Sequence, residues 1–67
     1  MRSRVKELRK EAGLSQADLA DMLEVSRQTV ISIENEKSTA SLVLAYKIAR
    51  VFGLSIEEVF DFSEWED

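Results

Sequence analysis

Serines that cut the chain into short segments constrain this fold more than any other feature of the sequence. Ser15, Ser26, Ser41 and Ser55 each stand directly before an apolar-periodic run, where a hydroxyl satisfies the free amides of a helix N-terminus. Ser3 or Arg4 opens a first helix that runs to Ala12, with Val5, Leu8 and Ala12 at helical spacing and Gly13 as its exit. Ser15 and Asp18 resemble a capping box, and the second helix carries Leu19, Ala20 and Leu23 to its end near Glu24. Ser26 starts a third helix, Arg27 to Glu34, which Asn35 stops by taking a positive φ. A polar connection, Glu36 to Ala40, leads to a fourth helix from Leu42 to Phe52 closed by Gly53, and Ser55 with Glu58 boxes a short fifth ending near Phe60 or Asp61. The expectation is an all-α, five-helix domain.

None of these helices is long enough to be stable alone. With 67 residues and no Cys or His, the chain excludes disulfides, thiolate chemistry and the commonest zinc ligands, so packing and a partner copy are the available supports. Residues 1–67 read as one domain, with the helix pair at about 16–34. The aromatic and polar alternation of Phe60 to Ser63 suits a short strand, for which Met1 to Ser3 is the available partner. No apolar stretch approaches the ~20 residues of a membrane span, and no signal-peptide pattern opens the chain, which reads as cytoplasmic.

The formal net charge of −4 argues against a polyanionic partner, but its distribution softens the objection. Arg2, Arg4, Lys6, Arg9, Lys10, Arg27 and Lys37 balance the acids of residues 1–37, and the acidic excess lies wholly in residues 38–67. The second and third helices are joined by only Glu24, Val25 and Ser26, which forces a steep crossing. At about 100° per residue, Val30 and Ile33 of the third helix form one apolar arc, opposed by Arg27, Gln28, Ile31 and Ser32. Arg and Gln are the residue types that read guanine and adenine edges bidentately, here in the first turn of the helix. The same two residues also suit any solvated helix surface, Ser15 and Ser26 suit plain caps, and Gln16 suits either solvent or a phosphate. Periodicity alone leaves these alternatives open.

Several runs are to be taken together: Leu14-Ser-Gln-Ala-Asp-Leu-Ala20, Val25-Ser-Arg-Gln-Thr-Val30, Ile33-Glu-Asn35, Lys37, Ser41-Leu42, Ala45-Tyr-Lys-Ile-Ala49 and Phe52-Gly-Leu-Ser55. In this order they resemble the Cro/C1-type (XRE) family of helix-turn-helix regulators, and within it the short stand-alone, cytolysin-repressor-like group. The resemblance implies a lambda-repressor-like fold and a sequence-specific DNA-binding transcriptional regulator, a repressor on a pseudopalindromic operator. It further implies that Arg27, Gln28 and Ser32 face base edges with Thr29 and Ile31 beside them, and that Gln16, Asn35 and Lys37 hold phosphates. Glu24 and Glu36 depart from it, standing where many members carry Gly, and Ser38-Thr39-Ala40 replaces a commoner aromatic-Asn-Pro run.

Arg9 and Glu34 both fall toward the core side of their helices, and an ion pair between them is expected, as the resemblance also implies. Leu42, Ala45, Ile48, Ala49 and Phe52 are expected to cover the helix pair. That leaves Val51, Leu54, Ile56, Val59, Phe60, Phe62 and Trp65 as surplus apolar surface for a homodimer interface, rimmed by Glu57, Glu58, Asp61 and Glu64. The competing arrangement folds these aromatics back over the first helix as a lid. A second functional class, a protein-interaction module such as an antitoxin, fits the acidic half. An enzyme does not fit, for want of His, Cys and a pocket-sized core. No cofactor, metal, membrane or small-molecule ligand is expected; the partners are double-stranded DNA and a second copy of the chain.

Overall fold

In the computed structural model, which describes residues 2–63, each of the four serines before a helix accepts a backbone amide three residues on. Asp18 N donates to Ser15 Oγ at 2.9 Å and Glu58 N to Ser55 Oγ at 3.2 Å. Ser15 N and Ser55 N return the bond to the Asp18 and Glu58 carboxylates, at 2.9 Å each. The helices so started are α2 (Gln16–Leu23), α3 (Arg27–Glu34), α4 (Leu42–Phe52) and α5 (Ile56–Val59). The first, α1 (Val5–Glu11), begins later than the sequence suggests, because Arg4 is its N-cap and caps nothing with its side chain. Ser3 Oγ instead accepts from Val5 N at 3.1 Å.

Helix exits share one geometry. After α1 to α4, in order, Gly13, Glu24, Glu36 and Gly53 take φ values of +73°, +60°, +60° and +67°. In each case the next amide reaches back to a carbonyl of the last turn: Leu14 to Arg9, Val25 to Ala20, Lys37 to Ser32 and Leu54 to Ala49, all within 3.1 Å. The expectation that Asn35 would take the left-handed position is corrected here. Asn35 has φ −84°, and the reversal falls one residue later, at Glu36, where the Lys37 bond to Ser32 requires it.

Val5, Leu8, Leu19, Leu23, Val30, Ile33 and Ile48 meet in a single core, closed by Val59 and Phe60. The last two correct the assignment of surplus apolar surface: both lie inside the protomer, Val59 at 0% and Phe60 at 2% exposure, with nothing to offer a partner. The reason is the short antiparallel ribbon of β1 (Arg2–Ser3) and β2 (Phe60–Asp61), in which Arg2 faces Asp61 and Ser3 faces Phe60. Arg4 N extends the pairing to Val59 O at 2.9 Å. The chain turns extended at Phe60, so α5 stops at Val59 and the ring is drawn inward. Leu42 is corrected in the opposite sense. At 77% exposure it covers nothing, and with Val43, Tyr46 and Met22 it is among the large apolar side chains left on the surface. Val51, Leu54, Ile56 and Phe62 are half-buried against the core. Met1 and Trp65, assigned to the strand pair and the dimer face, lie outside the described residues. No helix among the described residues is long and apolar enough to cross a membrane.

Two outcomes follow from the helix ends. Glu24→Gly should raise stability by about 0.5–1 kcal/mol, because a side chain at positive φ costs more than the added freedom of Gly in the unfolded chain. Glu36→Gly should gain less, since it also removes a carboxylate that accepts Ser3 N at 2.8 Å. Urea midpoints of the two variants check the order; an equal gain at both positions would contradict it. Second, the Ser15 amide holds the Asp18 carboxyl, and the Ser55 amide the Glu58 carboxyl, below their usual ranges. A depressed folded-state pKa contributes stability above the ordinary carboxylate range that is lost as pH falls through it toward the folded value. The double variant Asp18→Asn, Glu58→Gln should therefore lose less stability than wild type between neutral pH and pH about 3.

Candidate nucleic-acid interface

The crossing of α2 and α3 rests on a three-residue turn. Glu24 reverses the chain, Val25 packs against the core, and Ser26 caps the next helix by accepting Thr29 N at 3.2 Å. α3 then buries Val30, Ile33 and Glu34 and presents the other side outward. Arg27 and Gln28 are exposed, whereas Thr29, Ile31 and Ser32 are half-buried along the same flank. The Thr29 hydroxyl is engaged with Ser26 Oγ at 2.9 Å, and its methyl group offers an apolar contact beside it.

One buried ion pair fixes how this helix sits. Arg9 Nε donates to Glu34 Oε2 at 2.6 Å, and the neighbouring guanidinium nitrogen donates to Oε1 at 3.2 Å. The third donor goes to the carbonyl of Leu14 at 2.9 Å. The bond to Glu34 raises the Arg9 pKa above its ordinary value, against an opposing contribution from burial. Gln16 joins the group by donating its side-chain amide to Glu34 Oε1 at 3.2 Å. The residue that opens α2 is therefore oriented by the residue that closes α3, and one amide hydrogen of Gln16 remains for an outside acceptor.

Asn35 and Lys37 are exposed at the end of α3. Glu36, which the sequence sets between them as an opposing charge, is turned to the β1 strand, where its carboxylate accepts Ser3 N at 2.8 Å. Sequence reasoning also missed Lys6 and Lys10. With Arg9, Gln16 and Arg27 they line a cleft of about 530 Å³ between α1, α2 and α3, and among the described residues no carboxylate lines it. Their spacing of four along α1 was the available signal, but only the packing of α1 beside α2 brings them to Arg27.

A helix-turn-helix family model matches residues 5–59, which takes in all five helices. An HTH-type transcriptional regulator of Archaeoglobus fulgidus is 47% identical over 66 residues, covering 98% of this chain and 93% of the relative. YgzD, an HTH-type transcriptional regulator of Bacillus subtilis, is 45% identical over 60 residues, 90% of this chain and 91% of the relative. Among solved structures, one of a SinR–SinI complex superposes with a TM-score of 0.76 and 30% identity, covering 96% of this chain and 64% of that one. The chain belongs to the Cro/C1-type (XRE) helix-turn-helix family. It is a transcriptional regulator with a helix-turn-helix DNA-binding domain, not an enzyme.

The pair that orients α3 should be costly to break from one side. Arg9→Ala leaves Glu34 buried with Gln16 as its remaining side-chain partner, and should destabilise the fold by about 3 kcal/mol. Arg2→Ala, at an exposed ribbon position, should cost far less. Equal thermal midpoints for the two variants would contradict the role given to Arg9.

Proposed function

We propose that this protein is a sequence-specific repressor that binds a pseudopalindromic operator as a homodimer, with α3 of each protomer in the major groove. The observation that carries the reading is the division of α3: Val30, Ile33 and Glu34 are locked inward, while Gln28, Ile31 and Ser32 lie along the outer flank. Gln28 is the adenine reader of this set, Ser32 a second hydrogen-bonding contact, and Ile31 with the Thr29 methyl the apolar contacts for thymine. Gln16, Asn35 and Lys37 position the protein on phosphates, and the turning of Glu36 toward β1 relieves the repulsion its charge would exert there.

Dimerisation uses the C-terminal third, with Val51, Leu54, Ile56 and Phe62 as the half-buried apolar residues available to it. Two linked protomers place their recognition helices about 34 Å apart, one turn of the duplex, and multiply the few base contacts a single α3 can make. A second reading, a protein-interaction module, is favoured by the exposed Leu42, Val43 and Tyr46 of α4 and by the presence of a protein partner in the SinR–SinI structure.

Fluorescence-anisotropy titration with the duplex upstream of the protein's own gene separates the two. Tight binding is expected, and Gln28→Ala should lose about 1–3 kcal/mol on that duplex while scrambled DNA is unaffected. Failure of the wild type to bind any duplex would favour the protein-interaction reading. Sedimentation equilibrium should give twice 7.6 kDa, and Ile56→Asp should shift it to monomer; a monomeric wild type at micromolar concentration would refute the dimer.

A further inference from the structure

The end of α3 carries an acid where a DNA-binding surface has least use for one. Glu36 lies between Asn35 and Lys37, the two phosphate ligands proposed for this turn, at a position where many members of the family carry Gly. The backbone of the turn is fixed without the Glu36 side chain: Asn35 N donates to Ile31 O at 2.9 Å, Glu36 N to Ile33 O at 3.1 Å and Lys37 N to Ser32 O at 3.0 Å. What remains to be set is where the carboxylate points. Its Oε2 accepts Ser3 N at 2.8 Å, across 33 residues of sequence. That amide is available because strand amides alternate in direction: Arg4 N donates to Val59 O at 2.9 Å, so Ser3 N faces away from β2. Phe60, opposite Ser3, is buried and holds the ribbon to the core.

We propose that β1 is a positioning element for DNA binding: the Ser3 amide holds the Glu36 charge off the path of the phosphates, and the grip of Asn35 and Lys37 on the backbone depends on that bond. The inference rests on the DNA-binding reading above and deepens it. A carboxylate freed from Ser3 swings on two methylenes from a Cα between the two ligands, and its negative charge there opposes an approaching phosphate at close range. Bonded to Ser3, the same carboxylate is turned into a cleft of about 400 Å³ along the ribbon, lined also by Arg2, Arg4 and acids of α5 and β2. The ribbon thereby acts on the DNA-facing turn. Pairing of β1 with β2 presents the amide, and loss of that pairing releases the acid, so DNA affinity falls whenever β1 leaves the ribbon.

Anisotropy titrations at about 50 and 200 mM salt, on the upstream duplex and a scrambled one, test this with substitutions at both ends of the bond. Glu36→Gln keeps the reach to Ser3 N and removes the charge; Glu36→Asp keeps the charge and, one methylene shorter, loses the reach. Ser3→Pro removes the amide hydrogen at an outward strand position where Pro leaves the ladder intact, and Ser3→Pro/Glu36→Gln removes the released charge as well. Glu36→Asp and Ser3→Pro should each weaken binding to both duplexes about three- to tenfold at the lower salt, and by less at the higher, because the repulsion is screened. Glu36→Gln should stay within about twofold of wild type, and the double variant should recover that affinity. The two Glu36 variants decide the matter by themselves if Ser3→Pro lowers the thermal midpoint below the assay temperature. Glu36→Asp binding as tightly as wild type, or Glu36→Gln binding several-fold tighter, would overturn the proposal while leaving the DNA-binding reading intact. So would a loss in folded Ser3→Pro that Glu36→Gln does not restore. A wild type that binds neither duplex would overturn both.

Discussion

The bond between Arg9 and Glu34 joins the parts of this molecule that must keep a fixed relation. All three guanidinium nitrogens donate, and they reach two segments: two bonds go to the carboxylate of Glu34 that closes α3, and one to the Leu14 carbonyl in the connection from α1 to α2. Glu34 spends its remaining capacity on Gln16 at the start of α2. Three helices thus share one charge-assisted network with the Glu34 side chain almost wholly withdrawn from water. Burial makes such a pair costly to disrupt from one side. It also gives direction, because a bidentate bond fixes rotation in a way that apolar contacts of Val30 and Ile33 alone do not. Core packing sets how closely α3 approaches; the ion pair sets which side faces out.

A second constraint comes from the helix ends. Four successive helices terminate through a left-handed residue, and two of those residues are glutamates where Gly is the easier choice. At Glu36 the side chain has a compensating use, since its carboxylate binds β1. The ribbon, the end of α3 and the exposed Asn35 and Lys37 are thereby tied together. No comparable bond is found for Glu24 among the described residues, and the strain at that turn stands without local compensation.

Much of this was legible in the sequence because capping chemistry is local. The bounds of α3 and α4 follow directly from Ser26, Ser41 and Gly53, and the alternation after Phe60 was sufficient to place a strand beside the N-terminus. What failed to read through depends on tertiary adjacency. Asn35 has the better intrinsic tolerance for positive φ, yet the bond from Lys37 to Ser32 fixes the reversal at Glu36. Phe60 looks like surplus surface until the ribbon turns it inward, and Leu42 looks like core until the arc of α4 is seen to centre on Ala45, Ile48 and Ala49. The cations of α1 gave only their spacing of four as a local sign, since folding alone brings Lys6 and Lys10 into one cleft with Arg27.

The central claim is that the outward flank of α3 is the surface that meets DNA. Amide chemical-shift mapping of the isotopically labelled protein with the duplex upstream of its own gene tests it directly. The account predicts that the largest shifts fall at residues 27–32, with a second group at residues 15–17 and 35–37 and small changes through α5. Shifts concentrated on α4 around Leu42, Val43 and Tyr46, with α3 unmoved, would contradict it.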